Sequence, residues 1–135
     1  MTLDIQNLAY AITQVVHNFG AVTVLGGAVV ALAWREAGAQ RTLSRMVLAG
    51  WLVQALSGAT FGAISYYYYA KFPDIHGIAV AALIVKVVCA ALGFTLAAWL
   101  SIARPSAASR RYAWLALCCL GALALSSAAV LRWFS

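Results

Sequence analysis

Four long apolar segments, separated by short polar stretches, dominate the pattern of this sequence. They run roughly over residues 8–34, 46–69, 77–103 and 112–133. A helix that spans a bilayer needs about 20 mostly apolar residues, so each segment is long enough to cross a membrane. The alternating pattern of a membrane β-barrel is absent. The sequence therefore predicts an all-α fold, a four-helix transmembrane bundle.

The composition agrees with this prediction. Of the 135 residues, 65% are hydrophobic and 9% are charged, whereas a soluble domain carries about a quarter charged residues. We therefore predict one integral membrane domain over residues 1–135, with the lipid bilayer as its main partner. The net charge of +6 does not indicate nucleic acid, because the basic residues lie between the apolar segments, where membrane topology explains them.

The basic residues also predict the orientation of the bundle. Six arginines flank the first and third connections: Arg35, Arg41, Arg45, Arg104, Arg110 and Arg111. The opposite side carries only Lys71 and Arg132 as basic residues. The positive-inside rule puts the arginine-rich side in the cytoplasm. Both termini and the second connection then lie on the outer, periplasmic side of a bacterial inner membrane.

Aromatic, glycine and turn residues add expectations about packing. Tryptophans fall near the predicted inner boundary and tyrosines near the outer one: Trp34, Trp51, Trp99, Trp114 and Tyr66 to Tyr69. Such rings are typical of an interfacial belt; for the tyrosines, a platform for a quinone or a substrate is the alternative. Gly58 and Gly62 form a G-x-x-x-G pattern that predicts close helix packing. Asp74 is expected to cap the third helix.

Two polar residues at membrane depth are candidates for chemistry: His17 in the first helix and Lys86 in the third. Ionisable residues inside a membrane are costly, so each is a candidate functional residue. His17 lies about five helical turns before Arg35. Lys86 lies the same distance before Arg104, so both are predicted at one level in the outer half of the bilayer, about 27 Å from the arginines.

Lys86 has no acidic partner at this depth, because all three carboxylates lie near helix ends: Asp4, Glu36 and Asp74. A ligand with carboxylates would supply the missing negative charge, and haem, with two propionates, fits this requirement. Lys86 also shares a helix face with a stripe of small residues: Ala79, Ala82, Ala90, Gly93 and Ala97. Such a face either packs tightly against another helix or leaves room for a flat ligand, which makes Gly93 a candidate cofactor-binding residue.

His17 is the candidate metal ligand, since imidazole is a common axial ligand of haem iron. The alternative is that it only forms a hydrogen bond across the bundle. Polar partners are expected in the same layer: Asn18, Ser57, Thr60, Ser126 and Ser127. The second axial position is open between Lys86, His76 and no residue. His76 lies at the outer end of the third helix, about 15 Å along the axis from Lys86.

The segment from His17 to Gly27, HNFGAVTVLGG, resembles the first helix of the copper-resistance D-like membrane proteins, in which a histidine precedes a glycine pair at this spacing. It is also similar to the membrane protoporphyrinogen oxidases, four-helix b-haem proteins with a like histidine and a lysine in the third helix, which Lys86 matches. Val24 stands where a tryptophan usually precedes the glycine pair, and the oxidases' proline-arginine pair after the first helix is missing. The resemblance spans three helices and implies haem b at His17 and Gly27 more strongly than oxidase activity.

We therefore predict a membrane b-type haem protein that takes part in electron transfer or redox chemistry. It acts alone, as a homo-oligomer or within a larger membrane complex, with a periplasmic redox partner. Three alternatives stay open: an enzyme like the protoporphyrinogen oxidases, a copper-handling protein whose only methionines are Met1 and Met46, and a structural subunit without cofactor. The sequence contains no phosphate-binding loop, nucleophile elbow or zinc-binding signature of the kind found in soluble enzymes.

Overall fold

Four helices account for most of the chain in the computed structural model, which describes residues 4–103 and 105–134. They are α1 (Ile5–Ala33), α2 (Ala37–Tyr69), α3 (Ile78–Ile102) and α4 (Ala107–Phe134). By length and composition, all four could cross a membrane. The all-α, four-helix prediction is thus confirmed. Met1, Arg104 and Ser135 lie outside the described residues.

The helices form an antiparallel bundle in which each one packs against two neighbours. Contacts join α1 to α2, α2 to α3, α3 to α4 and α4 to α1, so α1 and α3 occupy opposite corners, as do α2 and α4. Short connections between successive helices favour this up-and-down order. We call the end with the connections 34–36 and 103–106 the arginine end, and the end with the connection 70–77 the tyrosine end.

The outside of the bundle is apolar, as expected for a protein that faces lipid. Large hydrophobic side chains point outward along the helices, including Phe19 (71% exposed), Val22 (68%) and Ile102 (85%). A water-soluble protein of this size would bury many such side chains or cover them with a partner. Hydrocarbon is the solvent in which this surface is stable, because transfer of apolar groups into it is favourable.

Two helices begin earlier than the hydropathy pattern predicts. α2 begins at Ala37 rather than near residue 46, and α4 begins at Ala107 rather than near residue 112. Arg41 and Arg45 therefore lie on α2, and Arg110 lies on α4, whereas the sequence pattern put them in connections. The added segments, 37–45 and 107–111, are rich in Ala and Arg. Both residues favour helix, and arginine lowers the hydropathy that marks a membrane span. With 33 residues, α2 is about 50 Å long, so its ends extend beyond a hydrocarbon layer of about 30 Å.

The interior of the bundle differs between its two halves. Toward the arginine end its most deeply buried large side chains are Val47, Trp51, Trp114 and Leu117, and the polar residues Gln40 and Ser44 are buried there as well. Toward the tyrosine end the buried side chains include a polar set: Thr13, His17, Ser57, Ser65 and Ser127. Ionisable groups buried in a membrane protein are expensive, and the tyrosine-end half holds the buried imidazole of His17, so a functional site is expected there.

Tryptophans divide between the surface and the core. Trp34 and Trp99 are 57% and 43% exposed, as an interfacial belt requires, but Trp51 and Trp114 are only 2% and 1% exposed. The interfacial prediction is therefore wrong for the latter two. The indole N–H of Trp114 donates to Gln40 Oε1 at 2.5 Å, and Gln40 Nε2 donates to backbone carbonyls at the end of α1. This polar contact gives a buried indole its partner, which explains how a tryptophan with a polar edge enters the core.

The close glycine contact lies at a different place from the one predicted. A Cβ added at Gly58 would meet nothing within 4 Å, and one at Gly62 would meet only Phe72 of the connection. The prediction that these two glycines bring helices of this chain together is wrong. Instead, α1 and α2 approach at Gly20 and Gly50, where a Cβ on either residue would lie 3.3–3.4 Å from the other's carbonyl oxygen.

Helix starts at the tyrosine end also differ from expectation. The Asp4 carboxylate caps α1 by accepting from the N–H groups of Gln6 (3.1 Å) and Asn7 (3.2 Å). Asp74 does not cap α3; the residue before this helix is Gly77, whose φ of +52° lies in the region that favours glycine. The chain enters α3 through this backbone conformation, and Asp74 is left free to interact within the connection.

Candidate functional site

His17 and Lys86 meet in the interior of the bundle, although their helices occupy opposite corners. His17 on α1 is 8% exposed and Lys86 on α3 is half-buried. The Lys86 Nζ atom lies 3.1 Å from His17 Nε2. Since the backbones of α1 and α3 do not touch, the two long side chains span the gap between them. The sequence spacing that put both residues at one level predicted this juxtaposition.

A chain of hydrogen bonds leads from Lys86 through His17 to α2. A charged lysine donates and cannot accept, so His17 Nε2 is the acceptor and Nδ1 carries the ring proton. Nδ1 then donates to Ser57 Oγ at 2.7 Å. The Ser57 hydroxyl in turn donates to the carbonyl of Val53 at 2.5 Å. Every step has a donor and an acceptor, and the tautomer of His17 follows from its partners.

Two further residues of α2 fix the position of His17. Phe61 contacts the imidazole ring edge-on, with 5.7 Å between ring centroids, and Tyr10 stacks on Phe61 at 6.3 Å. The side-chain amide of Gln54 donates to the backbone carbonyl of His17. Ser57 was among the polar residues expected in this layer, whereas Gln54 and Phe61 were not. A hydropathy pattern carries no signal for such ring contacts.

The charge of the site is not balanced by any acidic side chain of the protein. Asp4, Glu36 and Asp74 are all exposed at the ends of helices or in a connection, so none lies at the level of Lys86. Among the described residues, the Lys86 amine has a hydrogen bond only with His17, which is a neutral acceptor. A charged amine at membrane depth is costly without a negative charge nearby, which makes Lys86 a candidate functional residue.

The glycines proposed as cofactor-binding residues each receive a side chain of α2. A Cβ at Gly93 would collide with the indole of Trp51, whose Nε1 would lie 2.7 Å away, and one at Gly27 would lie 2.7 Å from Val47 Cγ2. The stripe of small residues on α3 thus packs tightly, with Ala79 and Ala97 fully buried. Of the two outcomes expected for this stripe, tight packing is the one observed.

His76 lies away from the His17–Lys86 pair. It belongs to the exposed connection at the tyrosine end, where its Nε2 is 3.3 Å from the Asp74 carboxylate and its side chain is 78% exposed. Within residues 4–103 and 105–134, no group of three or more His, Cys, Asp or Glu side chains is placed to hold a metal ion. A copper centre built from several such ligands is therefore not formed by the described residues.

Trp51, which packs on Gly93 about two helical turns from Lys86, contributes one more unusual feature. Its indole N–H is the only buried side-chain polar atom among the described residues that has no hydrogen-bond partner. Buried polar atoms nearly always have one, and an exception calls for a specific explanation such as a water or a ligand. The interior of this bundle therefore combines a lysine that has no carboxylate at its level with an unpaired indole N–H.

Comparison with known proteins adds no relative to this picture. No family model matches the chain, and neither a curated protein nor a solved structure matches it. The site is accordingly interpreted from its own geometry.

Proposed function

We propose that this chain is a b-type haem protein of a bacterial inner membrane, similar to the copper-resistance D-like proteins and the membrane protoporphyrinogen oxidases, and that it takes part in electron transfer. One observation supports this most: Lys86 Nζ and His17 Nε2 lie 3.1 Å apart in the bundle interior, with no carboxylate at their level. Haem is a flat metal complex with two carboxylates. An imidazole can bind its iron, and a lysine can pair with one of its propionates.

The chemistry of these residues fits haem, while their present contact has to change. His17 Nε2 would bind the iron, so Lys86 would leave this nitrogen and donate to a propionate. The Nδ1–H···Ser57 bond at 2.7 Å would stay, and it would hold the ring in the tautomer that leaves Nε2 free for a metal. When bound, the group supplies one-electron redox chemistry. In this proposal Gly93 and Gly27 make room for side chains of α2, and they do not contact the face of the porphyrin.

The absorption spectrum of the purified protein tests this function. The protein should be produced with ample haem supply, and the haem-free form should be titrated with haemin in detergent. The proposal expects a Soret band and sharp α and β bands after reduction, saturating at one haem per chain. Protein that stays colourless, or that takes up haemin without a defined stoichiometry, would rule the proposal out.

Replacing Lys86 by methionine is expected to weaken haem binding while leaving a folded protein. Methionine keeps the length of the side chain and removes the charge that would meet a propionate. Loss of one charge-assisted hydrogen bond predicts affinity lower by about tenfold or more. The measurement is a haemin titration followed at the Soret band. Lys71→Met is the matched control, because Lys71 is the other lysine of the chain and is exposed in the connection at the tyrosine end.

A structural subunit without cofactor is the second candidate, and the satisfied state of His17 favours it. Both ring nitrogens already have partners within the chain, so His17 ties α1 to α2 and α3. In this case the pair would stabilise a bundle that contributes its lipid-facing surface to a homo-oligomer or a larger complex. Haem titration separates the two candidates, since only the first predicts saturable binding.

The orientation of the bundle is part of the same proposal. With the arginine end in the cytoplasm, the His17–Lys86 pair lies in the periplasmic half, nearer to a periplasmic redox partner than to a cytoplasmic one. Both termini would then face the periplasm. The polar layer near the tyrosine end gives electrons a shorter path to that side.

Labelling of single cysteines is expected to establish this orientation. Cysteine should be introduced at Asp74, Glu36 or Ser106, all exposed, after replacing the three native cysteines. A membrane-impermeant maleimide should label Asp74→Cys in intact spheroplasts, and Glu36→Cys and Ser106→Cys only after permeabilisation. The reverse pattern would mean that the arginine end faces outward.

A further inference from the structure

A cavity of about 210 Å³ opens at the arginine end between α2, α3 and α4. Its polar side is formed by Arg41 on α2 and Arg110 on α4. Its remaining walls are mostly apolar, and its lining residues are Ala37, Gln40, Leu100, Ala103, Pro105 and Trp114. The cavity lies at the end of the bundle opposite the His17–Lys86 pair, so it is a separate site.

The two arginines leave a positive charge in this cavity that the described residues do not neutralise. No carboxylate of the described residues forms an ion pair with Arg41 or Arg110. Arg110 uses one N–H group to donate to the carbonyl of Pro105 at 3.2 Å, which holds its guanidinium over the α3–α4 connection. A guanidinium has five N–H donors, so both arginines retain donors for an incoming anion.

The helix ends add to the positive potential. α2 and α4 both begin at this end, and neither has an acidic residue in its first turn. Glu36 precedes α2 but makes no capping hydrogen bond. The side-chain groups of Gln40 are already used, since its amide bonds the end of α1 and Trp114. An anion in the cavity would therefore be recognised by the arginines.

We propose that this cavity binds the phosphate of an anionic phospholipid headgroup. Guanidinium groups match phosphate oxygens in geometry and charge. The apolar walls formed by Leu100, Ala103 and Trp114 favour a ligand that continues into an acyl chain over a free inorganic ion. The cavity also lies at the ends of helices long and apolar enough to cross a membrane, and basic pockets between membrane helices are suited to lipid headgroups.

Lipid binding by purified, lipid-depleted protein tests this site. The probes are phosphatidylglycerol, phosphatidylcholine and inorganic phosphate, with bound lipid measured by native mass spectrometry and protection measured by thermal unfolding. We expect phosphatidylglycerol to bind and to raise the unfolding temperature, phosphatidylcholine to do so far less, and inorganic phosphate to have little effect. The proposal would be overturned if phosphatidylcholine bound and stabilised the wild-type protein as well as phosphatidylglycerol does, or if inorganic phosphate raised the unfolding temperature as much.

A matched pair of double variants locates the site. R41Q/R110Q removes the two arginines of the cavity and should weaken phosphatidylglycerol binding about tenfold or more. R45Q/R111Q removes the same charge from the same two helices at exposed positions that do not line the cavity, and should retain most of the affinity. Equal losses in both variants would show that only the general charge of this end attracts the lipid, and the site would be rejected. If R41Q/R110Q does not fold, R41K/R110K takes its place, because lysine keeps the charge but lacks the planar set of guanidinium donors. Undiminished phosphatidylglycerol binding by R41K/R110K would also reject the proposed site.

Discussion

His17→Ala should abolish the α band of the reduced protein while the protein still inserts into the membrane. Alanine has no group that binds iron, and no other imidazole of the chain lies beside Lys86, since His76 is in an exposed connection. Insertion should persist because it depends on four long apolar helices rather than on one buried side chain. Reduced-minus-oxidised spectra of membranes, with immunoblotting of the membrane fraction, measure both parts of this result.

His76→Ala is the matched control, because these are the two histidines of the sequence. The structure separates His76 from the interior, so its removal is expected to leave the spectrum unchanged. A wild-type spectrum in His17→Ala would contradict the assignment of the axial ligand. Loss of the α band in His76→Ala would mean that the connection at the tyrosine end folds inward to supply a second ligand.

The same histidine variant distinguishes the two candidate functions through stability. In haem-free protein, His17→Ala removes the hydrogen bonds to Ser57 and Lys86, so the Lys86 amine loses its hydrogen bond to the imidazole. Each buried polar group left unsatisfied costs about 1–3 kcal/mol. If the chain is a structural subunit, this loss of stability is the whole phenotype. If it is a haem protein, the spectral loss should also occur under conditions in which the variant is fully folded.

The features that could be predicted from the sequence are those encoded by spacing and hydropathy. Four apolar segments of sufficient length gave four helices, because the bilayer sets a minimum length for each. Equal distances of His17 and Lys86 from arginines at the same end placed them at one level, since the rise per helical residue is constant. Short connections make α1 and α3 run in the same direction, so residues at equal distances from the arginine end lie at the same height. The two nitrogens can therefore approach to 3.1 Å.

The features that could not be predicted depend on how the helices rotate about their axes. Hydropathy does not distinguish a tryptophan facing lipid from one facing the core, so Trp51 and Trp114 were assigned to the interface. The glycine pattern at Gly58 and Gly62 predicted a contact that would require this face of α2 to turn inward, yet Gly58 is exposed. In a membrane both faces of a helix are apolar, so the pattern carries little information about rotation.

Gly93→Leu should be among the most destabilising single substitutions in this protein. Even a Cβ at Gly93 would collide with the Trp51 ring, and Trp51 is 2% exposed, so it has no free space into which to move. Larger side chains in a packed core force neighbouring residues apart, and we expect a loss of about 3 kcal/mol, the upper end of the usual range for overpacking. The fraction of monodisperse protein that remains after heating in detergent, measured by size-exclusion chromatography, reports this effect.

Gly58→Leu provides the control, because it introduces the same side chain on a membrane helix where a Cβ meets nothing within 4 Å. Its stability should stay within about 0.5 kcal/mol of the wild type, as for substitutions away from packed contacts. A second variant tests the cause: Trp51→Leu shortens the ring that fills the space at Gly93, so combining it with Gly93→Leu should cost less than the two single losses added together. Strict additivity would mean that Gly93 and Trp51 do not touch. Equal damage from Gly58→Leu would mean that a tight contact between helices also lies at Gly58, about two helical turns along α2 from Trp51.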